Sequence, residues 1–312
     1  MINEYYLIIA IFILSIVSNW FFNKYFSKHK LYDQITLRSS HSTKATRSGG
    51  VAIFTLIFLV STFCYLKGLV IYDYSILIPL SLLFLIGLYD DIYQLDFKLK
   101  FIFQIIAAKI IIDNGLIIDN LHGFLEIFEL DRISAQIFTI FIILSIINAI
   151  NFIDGIDGLA VSIVVIFIFL FETTALSNST YFYLNTLLIA SLIPLLYFNY
   201  RNKNKVFLGD SGSLFIGGVV SVCTIYILTD DYLIKPKYDI HKLLFVVSVL
   251  IYPIFDLTRI VIKRLIEGKS PFIADKNHIH HKIQNLTNSH KITTSIISII
   301  SLIFFFIIQL LF

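Results

Sequence analysis

The chain has 312 residues, of which 57% are hydrophobic and 14% charged, and its formal net charge is +3. One soluble core could not hide that much apolar surface, so the composition excludes an ordinary soluble protein and predicts an integral membrane protein. The small net charge gives no reason to expect a nucleic-acid partner.

The predicted elements are apolar helices that follow one another along the chain. Windows of about 17 to 22 residues, the length that crosses the hydrocarbon of a bilayer, identify ten predicted spans. They cover residues 4–22, 50–66, 73–89, 99–114, 133–150, 158–175, 181–199, 212–229, 241–263 and 292–311. No linker or internal repeat interrupts them. We therefore predict an all-α polytopic membrane protein with a single integral membrane domain over residues 1–312.

Lys and Arg are distributed unevenly between the two sides of the predicted membrane. Eighteen of the 24 lie in the connections after spans 1, 3, 5, 7 and 9, or at the span ends beside them. Because positive residues accumulate in cytoplasmic loops, we expect these connections to be cytoplasmic and both termini periplasmic. Every unusual polar cluster of the sequence also lies in these connections, which predicts a functional site in loops on the cytoplasmic face.

Acids form the clearest of these clusters. They are Asp90 and Asp91 in "GLYDDIYQLDFKLK", Asp154 and Asp157 in "NAINFIDGIDGL", and Asp210 in "KVFLGDSGS". Clustered carboxylates repel one another unless a cation is present, and hard oxygen ligands of this kind suit Mg²⁺. The alternative is that each Asp only caps a helix end at the membrane interface. Five acids in three connections, together with Asn148 and Asn151, favour a metal site.

Glycines and one aromatic residue accompany the acids. Gly155 permits a tight turn between Asp154 and Asp157, and the glycines around Asp210 stand where the eighth predicted span begins. An exposed helix N-terminus is a favourable place for a phosphate, although "GDSGS" is not a Walker A loop. Phe207 could stack on a nucleobase or face lipid, and the residues alone leave both interpretations open.

Three histidines, His278, His280 and His281, lie in "KSPFIADKNHIHHKI" between Lys276 and Lys282. The spacing is incomplete as a metal site, and the neighbouring positive charge favours an anionic ligand such as a diphosphate. The alternative is a solvated basic loop held at the anionic cytoplasmic leaflet.

The chain resembles the bacterial polyprenyl-phosphate N-acetylhexosamine-1-phosphate transferases, the group that includes phospho-N-acetylmuramoyl-pentapeptide transferase. The resemblance runs from "RSSHSTKATRSGG" through "DDIYQLDFKLKFIFQ", "NAINFIDGIDGLA" and "FLGDSGS" to "SPFIADKNHIHH". It implies a multi-pass enzyme of the bacterial inner membrane with ten or eleven helices. It also implies a cytoplasmic active site that uses Mg²⁺, with Mn²⁺ as an alternative ion.

The same resemblance implies a role for each motif. Asp90, Asp91 and Lys100 would be catalytic, and Asn151 and Asp210 would be the ligands of Mg²⁺. The remaining candidates would bind substrate: Lys44, Arg47, Asp154, Gly155, Asp157, Asn199, Phe207, His278, His280 and His281.

The implied reaction is transfer of an N-acetylhexosamine 1-phosphate from a UDP-N-acetylhexosamine, such as UDP-GlcNAc, to undecaprenyl phosphate. UMP would be released, and the product would initiate lipid-linked cell-surface glycan synthesis. The expected partners are these two substrates and the membrane lipid, and a homodimer is left open. The alternative function is a secondary transporter, but transporters place acids near the midplane and often show inverted repeats. A CDP-alcohol phosphotransferase is disfavoured because the "DGxxAR" continuation is missing after Asp154 and Asp157.

Overall fold

The structure is a computed structural model that describes residues 4–33, 44–124, 126–229, 231–235, 242–268 and 277–311. The described residues form twelve α-helices. These are α1 (Glu4–Lys28), α2 (Gly49–Leu66), α3 (Leu77–Tyr93), α4 (Phe97–Asp113), α5 (Arg132–Ile153), α6 (Leu159–Thr174), α7 (Phe182–Asn199), α8 (Gly209–Leu228), α9 (Lys242–Val249), α10 (Ile251–Ile266), α11 (Ile279–Thr287) and α12 (His290–Leu311).

The helices have the length and composition of a polytopic membrane protein. Within the described residues, seven helices are long and apolar enough to cross a bilayer, or eight if α9 and α10 together form one bent span. Helix α6 is apolar but shorter. The predicted class, an all-α polytopic membrane protein, is confirmed, while the number of ten spans and the orientation stay predictions.

The predicted ninth span is wrong as a single helix. The structure breaks residues 241–263 into α9 and α10, which are bent by 79° at Leu250. Pro253 explains the break, because a proline ring inside a helix clashes with the carbonyl four residues earlier. That carbonyl belongs to Val249, the last residue of α9. In α10 the proline occupies the first turn, where its missing N–H has no cost.

Two small sheets were not predicted. Strand β1 (Ala45–Thr46) pairs in parallel with β4 (Lys205–Val206), and β2 (Asn120–Phe124) pairs antiparallel with β3 (Ile127–Glu129). Two-residue strands leave no alternation that a sequence pattern could reveal. The β1 and β4 pair matters for the site because it joins the connections that precede α2 and α8.

Helix α8 lies at the centre of the molecule and is almost entirely buried. Helices α2, α3 and α5 pack around it, and small residues on α8 let them approach closely. On α3, a Cβ at Gly87 would lie 2.7 Å from Ser211 Cα and closer still to the Asp210 carbonyl. Only glycine therefore lets α3 meet the first turn of α8, which sets the position of the residues described next.

Candidate active site

Most of the acids predicted to lie in loops belong to helix ends. Asp90 and Asp91 lie in the last turn of α3, Asn151 in the last turn of α5, and Asp210 is the second residue of α8. A hydropathy window ends where polar residues begin, whereas the helical hydrogen bonds continue through them. Rigid helix ends, not loops, therefore position these side chains.

A short turn brings Lys100 against Asp90. Gln94 ends α3 in a left-handed conformation, at φ 55°, and its N–H donates to the Asp90 carbonyl at 2.9 Å. The Asp90 carboxylate accepts from Leu95 N at 2.6 Å and from Lys100 Nζ at 3.0 Å. Lys100 Nζ also forms an ion pair with Asp210. Lys100 therefore bridges two acids that come from different helices.

Asp91 has a different environment from Asp90. Its carboxylate accepts from Asp210 N and Ser211 N, both at 2.9 Å, and only 1% of its side chain is exposed. These N–H groups belong to the first turn of α8, whose positive dipole end favours a carboxylate. Gly209 has a φ of 73°, and a Cβ there would lie 2.7 Å from Asp91 Oδ2. Asp91 therefore holds the start of α8, and with it Asp210, in place.

Asn151 connects α5 to the same point. Its Nδ2 donates to Asp210 Oδ1 at 3.2 Å and to Ser213 Oγ at 2.7 Å. One turn earlier, Asn148 Nδ2 donates to Gln104 Oε1 at 2.8 Å and links α5 to α4. The structure therefore assigns Asn148 to helix packing. It brings Asn151 to Asp210, into the group that Asp90, Asp91 and Asp210 form, which we call the acid cluster.

Arg47 enters the cluster from the β1 and β4 pair. Its guanidinium donates to Asp33 Oδ1 at 2.8 Å and to Asp91 Oδ1 at 3.4 Å. Burial opposes the charge, but Asp33 and Asp91 outweigh it and raise the pKa of Arg47. The backbone around it is fixed as well, since Phe207 N donates to Thr46 O at 2.8 Å.

A second group of predicted residues is organised by Lys205. Lys205 Nζ donates to Asp157 Oδ2 at 2.5 Å and lies 5.2 Å from the centroid of the Phe207 ring. His290 Nδ1 lies 3.2 Å from the same Asp157 oxygen. Burial opposes ionisation, but His290 and Lys205 lower the pKa of Asp157. The structure thus connects Asp157 and Phe207, which the sequence could only place on separate loops.

Two predicted residues make no polar contact with the acids within the described chain. Asn199 is 5% exposed, and its Nδ2 donates to Val206 O at 2.8 Å, so it closes the turn into β4. Lys44 is exposed, with Nζ 6.0 Å from the centroid of the Tyr32 ring. Their predicted contacts with substrate stay predictions.

The histidines lie at the start of α11 rather than in an open loop. His278 Nδ1 lies 2.7 Å from Asp256 Oδ2, and Phe152, the residue after Asn151, meets the His278 ring edge-on at 5.7 Å. A Cβ at Gly155 would lie 3.4 Å from His280 Nε2 and 3.6 Å from His281 Nε2. The end of α5 therefore carries both the acid cluster and the surface against which the histidines pack.

His280 differs from His278 because it is fully buried. Its Nδ1 lies 2.9 Å from the Tyr252 hydroxyl, and its Nε2 has no hydrogen-bond partner among the described residues. Burial, followed by the neighbouring histidines, lowers the pKa of His280 to about 3. His280 is therefore neutral at physiological pH and cannot supply positive charge to an anion.

Comparison with known proteins decides the family. The sequence profile of glycosyl transferase family 4 matches residues 74–228, which hold most of this cluster. A probable undecaprenyl-phosphate N-acetylglucosaminyl 1-phosphate transferase of Bacillus subtilis is 30% identical over 278 residues, 87% of this chain and 75% of the relative. The chain belongs to glycosyl transferase family 4.

Further relatives of this glycosyl transferase agree. An undecaprenyl-phosphate alpha-N-acetylglucosaminyl 1-phosphate transferase of Pasteurella multocida is 33% identical over 264 residues, 80% of this chain and 70% of the relative. A decaprenyl-phosphate N-acetylglucosaminephosphotransferase of Mycobacterium tuberculosis is 29% identical over 279 residues, 81% and 69% respectively. The predicted enzyme class, a polyprenyl-phosphate sugar-1-phosphate transferase, is confirmed.

The charges of the glycosyl transferase cluster fit a divalent cation. Its carboxylates are those of Asp90, Asp91, Asp154 and Asp210, and the cations that interact with them in the described residues are Lys100 and Arg47. Burial, and then Asp210 and Asp91, raise the pKa of Asp154 well above its ordinary value. A divalent ion would relieve this repulsion, and carboxylate and amide oxygens are ligands that Mg²⁺ accepts. Asp210 and Asn151 therefore fit the predicted metal site.

Sequence reasoning missed residues of the glycosyl transferase that support the candidate site. Asp256 and Tyr252 fall inside a predicted span, and only the rarity of an acid within an apolar helix could have drawn attention to Asp256. Donor atoms of Asp256, His278 and His280 lie within 4.8 Å of one another, close enough to hold a metal ion. This second cluster has a single carboxylate, which Arg259 already neutralises at 2.8 Å, whereas the first cluster has four carboxylates that interact with two cations. We assign no metal to this second cluster.

Proposed function

We propose that this chain transfers an N-acetylhexosamine 1-phosphate from a UDP-N-acetylhexosamine to undecaprenyl phosphate. An oxygen of the lipid phosphate forms a bond to the β-phosphorus of the sugar nucleotide. The bond from that phosphorus to the oxygen bridging the α-phosphate breaks, and its electrons leave with UMP. The observation that carries the proposal is the meeting of Asp90, Lys100 and Asp210 beside Asn151 in a family 4 chain.

Charge neutralisation is the main task of the site, because both substrates are anions. Lys100 Nζ is held between Asp90 and Asp210, close to the point where α3, α4 and α8 meet. From there it can donate to oxygens of the transferring phosphoryl group, where negative charge is spread in the transition state. Arg47 adds a second fixed positive charge on the β1 side.

Mg²⁺ would be held by Asp210 and Asn151. When bound, it supplies positive charge to the diphosphate and to the leaving UMP. In the structure Asn151 donates from Nδ2 to Asp210. Rotating the side-chain amide by half a turn exchanges Nδ2 and Oδ1, so that Oδ1 lies towards Asp210 instead. Ser213 Oγ can then donate to that oxygen. Asp210 and Asn151 would therefore supply two oxygen ligands of the kind that Mg²⁺ prefers.

The two neighbouring acids divide the work. The Asp91 carboxylate accepts from the backbone N–H groups at the start of α8, whereas the Asp90 side chain is 16% exposed and contacts Lys100. Asp90 is therefore the acid placed to accept a proton from the lipid phosphate. The second pKa of a phosphate monoester is about 6, so the acceptor is largely dianionic at neutral pH and this base assists without being obligatory.

The names of the relatives favour particular substrates. All three carry N-acetylglucosamine in their names, and those of Bacillus subtilis and Pasteurella multocida carry undecaprenyl phosphate. We assign UDP-GlcNAc as donor and place the site on the cytoplasmic face of a bacterial inner membrane, where the product initiates a cell-surface glycan. Because the family is one of transferases, the transporter alternative is not retained.

A purified-protein assay tests the proposal. With undecaprenyl phosphate, Mg²⁺ and labelled UDP-GlcNAc, we expect labelled lipid and UMP to appear in equal amounts, and a chelator to abolish both. Asp210→Asn should remove activity, whereas the matched control Asp113→Asn changes an exposed acid paired with Lys109 on α4 and should not. Absence of labelled lipid across a panel of UDP sugars, or release of UMP without lipid product, would contradict the proposal.

A further inference from the structure

Helix α1 contributes one buried amide to the two-stranded sheet of β1 and β4. Asn23 is 6% exposed, and its Nδ2 donates to the Asn204 carbonyl at 2.9 Å. Its Oδ1 accepts from Thr46 Oγ1, also at 2.9 Å. Asn204 is the residue before β4, and Thr46 is the last residue of β1. A single side chain on α1 therefore contacts both strands.

The chemistry of the partners fixes the direction of these hydrogen bonds. A carbonyl oxygen can only accept, so the amide nitrogen of Asn23 must face Asn204 and the amide oxygen must face Thr46. The Thr46 hydroxyl therefore donates to Asn23, and Ser48 Oγ, 2.9 Å from Thr46 Oγ1, must donate to Thr46. A reversed amide would set two oxygens against each other at Asn204. The contact therefore has one orientation.

The sheet needs such a contact because it is too short to fix its own register. β1 and β4 pair over two residues each, and the hydrogen bond from Phe207 N to Thr46 O, at 2.8 Å, continues the pairing. So small a sheet is marginally stable alone, and a slip of one residue would turn each side chain to the opposite face. Asn23 opposes that slip because it binds both strands at once.

The residues on this sheet belong to both parts of the candidate site. Arg47 follows β1 directly, and its guanidinium contacts Asp91 of the acid cluster. Lys205 begins β4, and its Nζ donates to Asp157 Oδ2 at 2.5 Å. Phe207, which follows β4, is the predicted partner of the nucleobase. The register of the two strands therefore sets where Arg47, Lys205 and Phe207 lie relative to one another.

We propose that Asn23 is a positioning residue for binding of the sugar nucleotide: it fixes β1 against β4, so that Arg47 and Phe207 meet one UDP-sugar together. The inference rests on the proposed function and deepens it. The residues proposed to act on the transferring phosphoryl group lie on α3, α4, α5 and α8, to which Asn23 makes no hydrogen bond within the described residues. Loss of the Asn23 amide should therefore weaken nucleotide binding and leave the chemical step nearly intact.

The experiment measures kcat, the KM values for UDP-GlcNAc and undecaprenyl phosphate, and the inhibition constant of UMP in purified variants. We expect Asn23→Ala to raise KM for UDP-GlcNAc and the UMP inhibition constant about tenfold, the size of effect that one hydrogen bond accounts for. KM for undecaprenyl phosphate and kcat should change by less than about threefold. A contact that only stabilises the fold would lower the Tm and the active fraction, and with them kcat, without raising either nucleotide constant.

Thr46 provides the matched rescue. Thr46→Val keeps the shape of the side chain but removes the hydroxyl that donates to Asn23, so it should also raise KM for UDP-GlcNAc. Thr46→Ser keeps the hydroxyl and should retain the wild-type KM to within about twofold. Asn23→Ala already lacks the contact, so adding Thr46→Val should raise KM no further. A Thr46→Ser protein as impaired as Thr46→Val would contradict the role of the hydrogen bond.

Asn19→Ala is the control on the same helix. Asn19 is fully buried one turn before Asn23, and its Nδ2 donates to Ser15 O at 2.9 Å within α1. This variant should lower the Tm and keep the wild-type KM. The proposal is overturned by a wild-type KM in Asn23→Ala, by an equal rise in Asn19→Ala, or by multiplying effects of Asn23→Ala and Thr46→Val. If Asn23→Ala does not fold, a wild-type KM in Thr46→Val overturns it. A wild-type protein that forms no labelled lipid would instead contradict the proposed function.

Discussion

Replacing Asp91 should show that this acid orders the site rather than reacting in it. In Asp91→Ala, Asp210 N and Ser211 N lose the carboxylate that accepts from both at 2.9 Å in a buried position. A hydrogen bond to a charged group contributes about 1.5–3 kcal/mol, so the loss should be about 3–6 kcal/mol. Asp91→Asn keeps one acceptor oxygen and should lose about half as much.

Thermal unfolding in detergent, followed alongside UMP release, is the appropriate assay. We expect the apparent Tm to fall in the order wild type, Asp91→Asn, Asp91→Ala, with kcat falling at least tenfold because Asp210 moves with the first turn of α8. Asp90→Asn should do the opposite, with a large loss of kcat and a small change in Tm, since Asp90 is more exposed. Asp113→Ala, an exposed acid on α4, is the control and should change neither. An Asp91→Ala protein with the wild-type Tm would refute the reasoning.

Three further predictions concern packing and pH. Gly87→Ala places a Cβ 2.7 Å from Ser211 Cα, so we expect about 1–3 kcal/mol of destabilisation and a loss of turnover, and a wild-type Tm would contradict the close approach of α3 and α8. Asp154→Asn should raise the Tm in the absence of divalent ions, because the pKa of Asp154 is raised and its ionised form costs stability. The increase in Tm should become larger as the pH rises above about 4 and smaller at saturating Mg²⁺. An increase that does not depend on Mg²⁺ would show that Asp154 does not interact with the metal. The pKa of His280 is lowered to about 3, so between about pH 6.5 and 3 the unfolded chain binds the extra proton and wild-type stability falls with the pH. His280→Gln should weaken that fall between pH 6.5 and 5, and an unchanged slope would contradict the neutral, buried ring.

The fold class could be predicted because the bilayer imposes it. Long apolar windows have few alternatives to membrane-spanning helices, and most predicted spans coincide with helices of the structure. The break at Leu250 could not be predicted from hydropathy, because the residues on either side of it, Val249 and Ile251, are both apolar and the cause is the single ring of Pro253. The predicted ends of α3 and α5 lie too early, at residues 89 and 150 instead of Tyr93 and Ile153, since windows respond to side chains and not to backbone hydrogen bonds.

The site could be predicted as a set of residue types but not as a set of contacts. Acids at separate helix ends on one side of the membrane indicate a common site, and the structure brings Asp90, Asn151 and Asp210 together through Lys100. The sequence gives equal status to Asp90 and Asp91, which differ only in whether the N-terminus of α8 lies against them. Asp256 could not be predicted as a site residue, because its contacts with Arg259 and His278 form only in the folded structure.

Binding of Mn²⁺, measured by electron paramagnetic resonance on the purified protein, tests the central claim most directly. The claim is that carboxylate and amide groups from separate helices hold one divalent ion beside Lys100. It predicts one ion bound per chain, displaced by Mg²⁺, with affinity reduced at least tenfold in Asp210→Asn and unchanged in Asp113→Asn. Equal Mn²⁺ affinity in wild type and Asp210→Asn would contradict it.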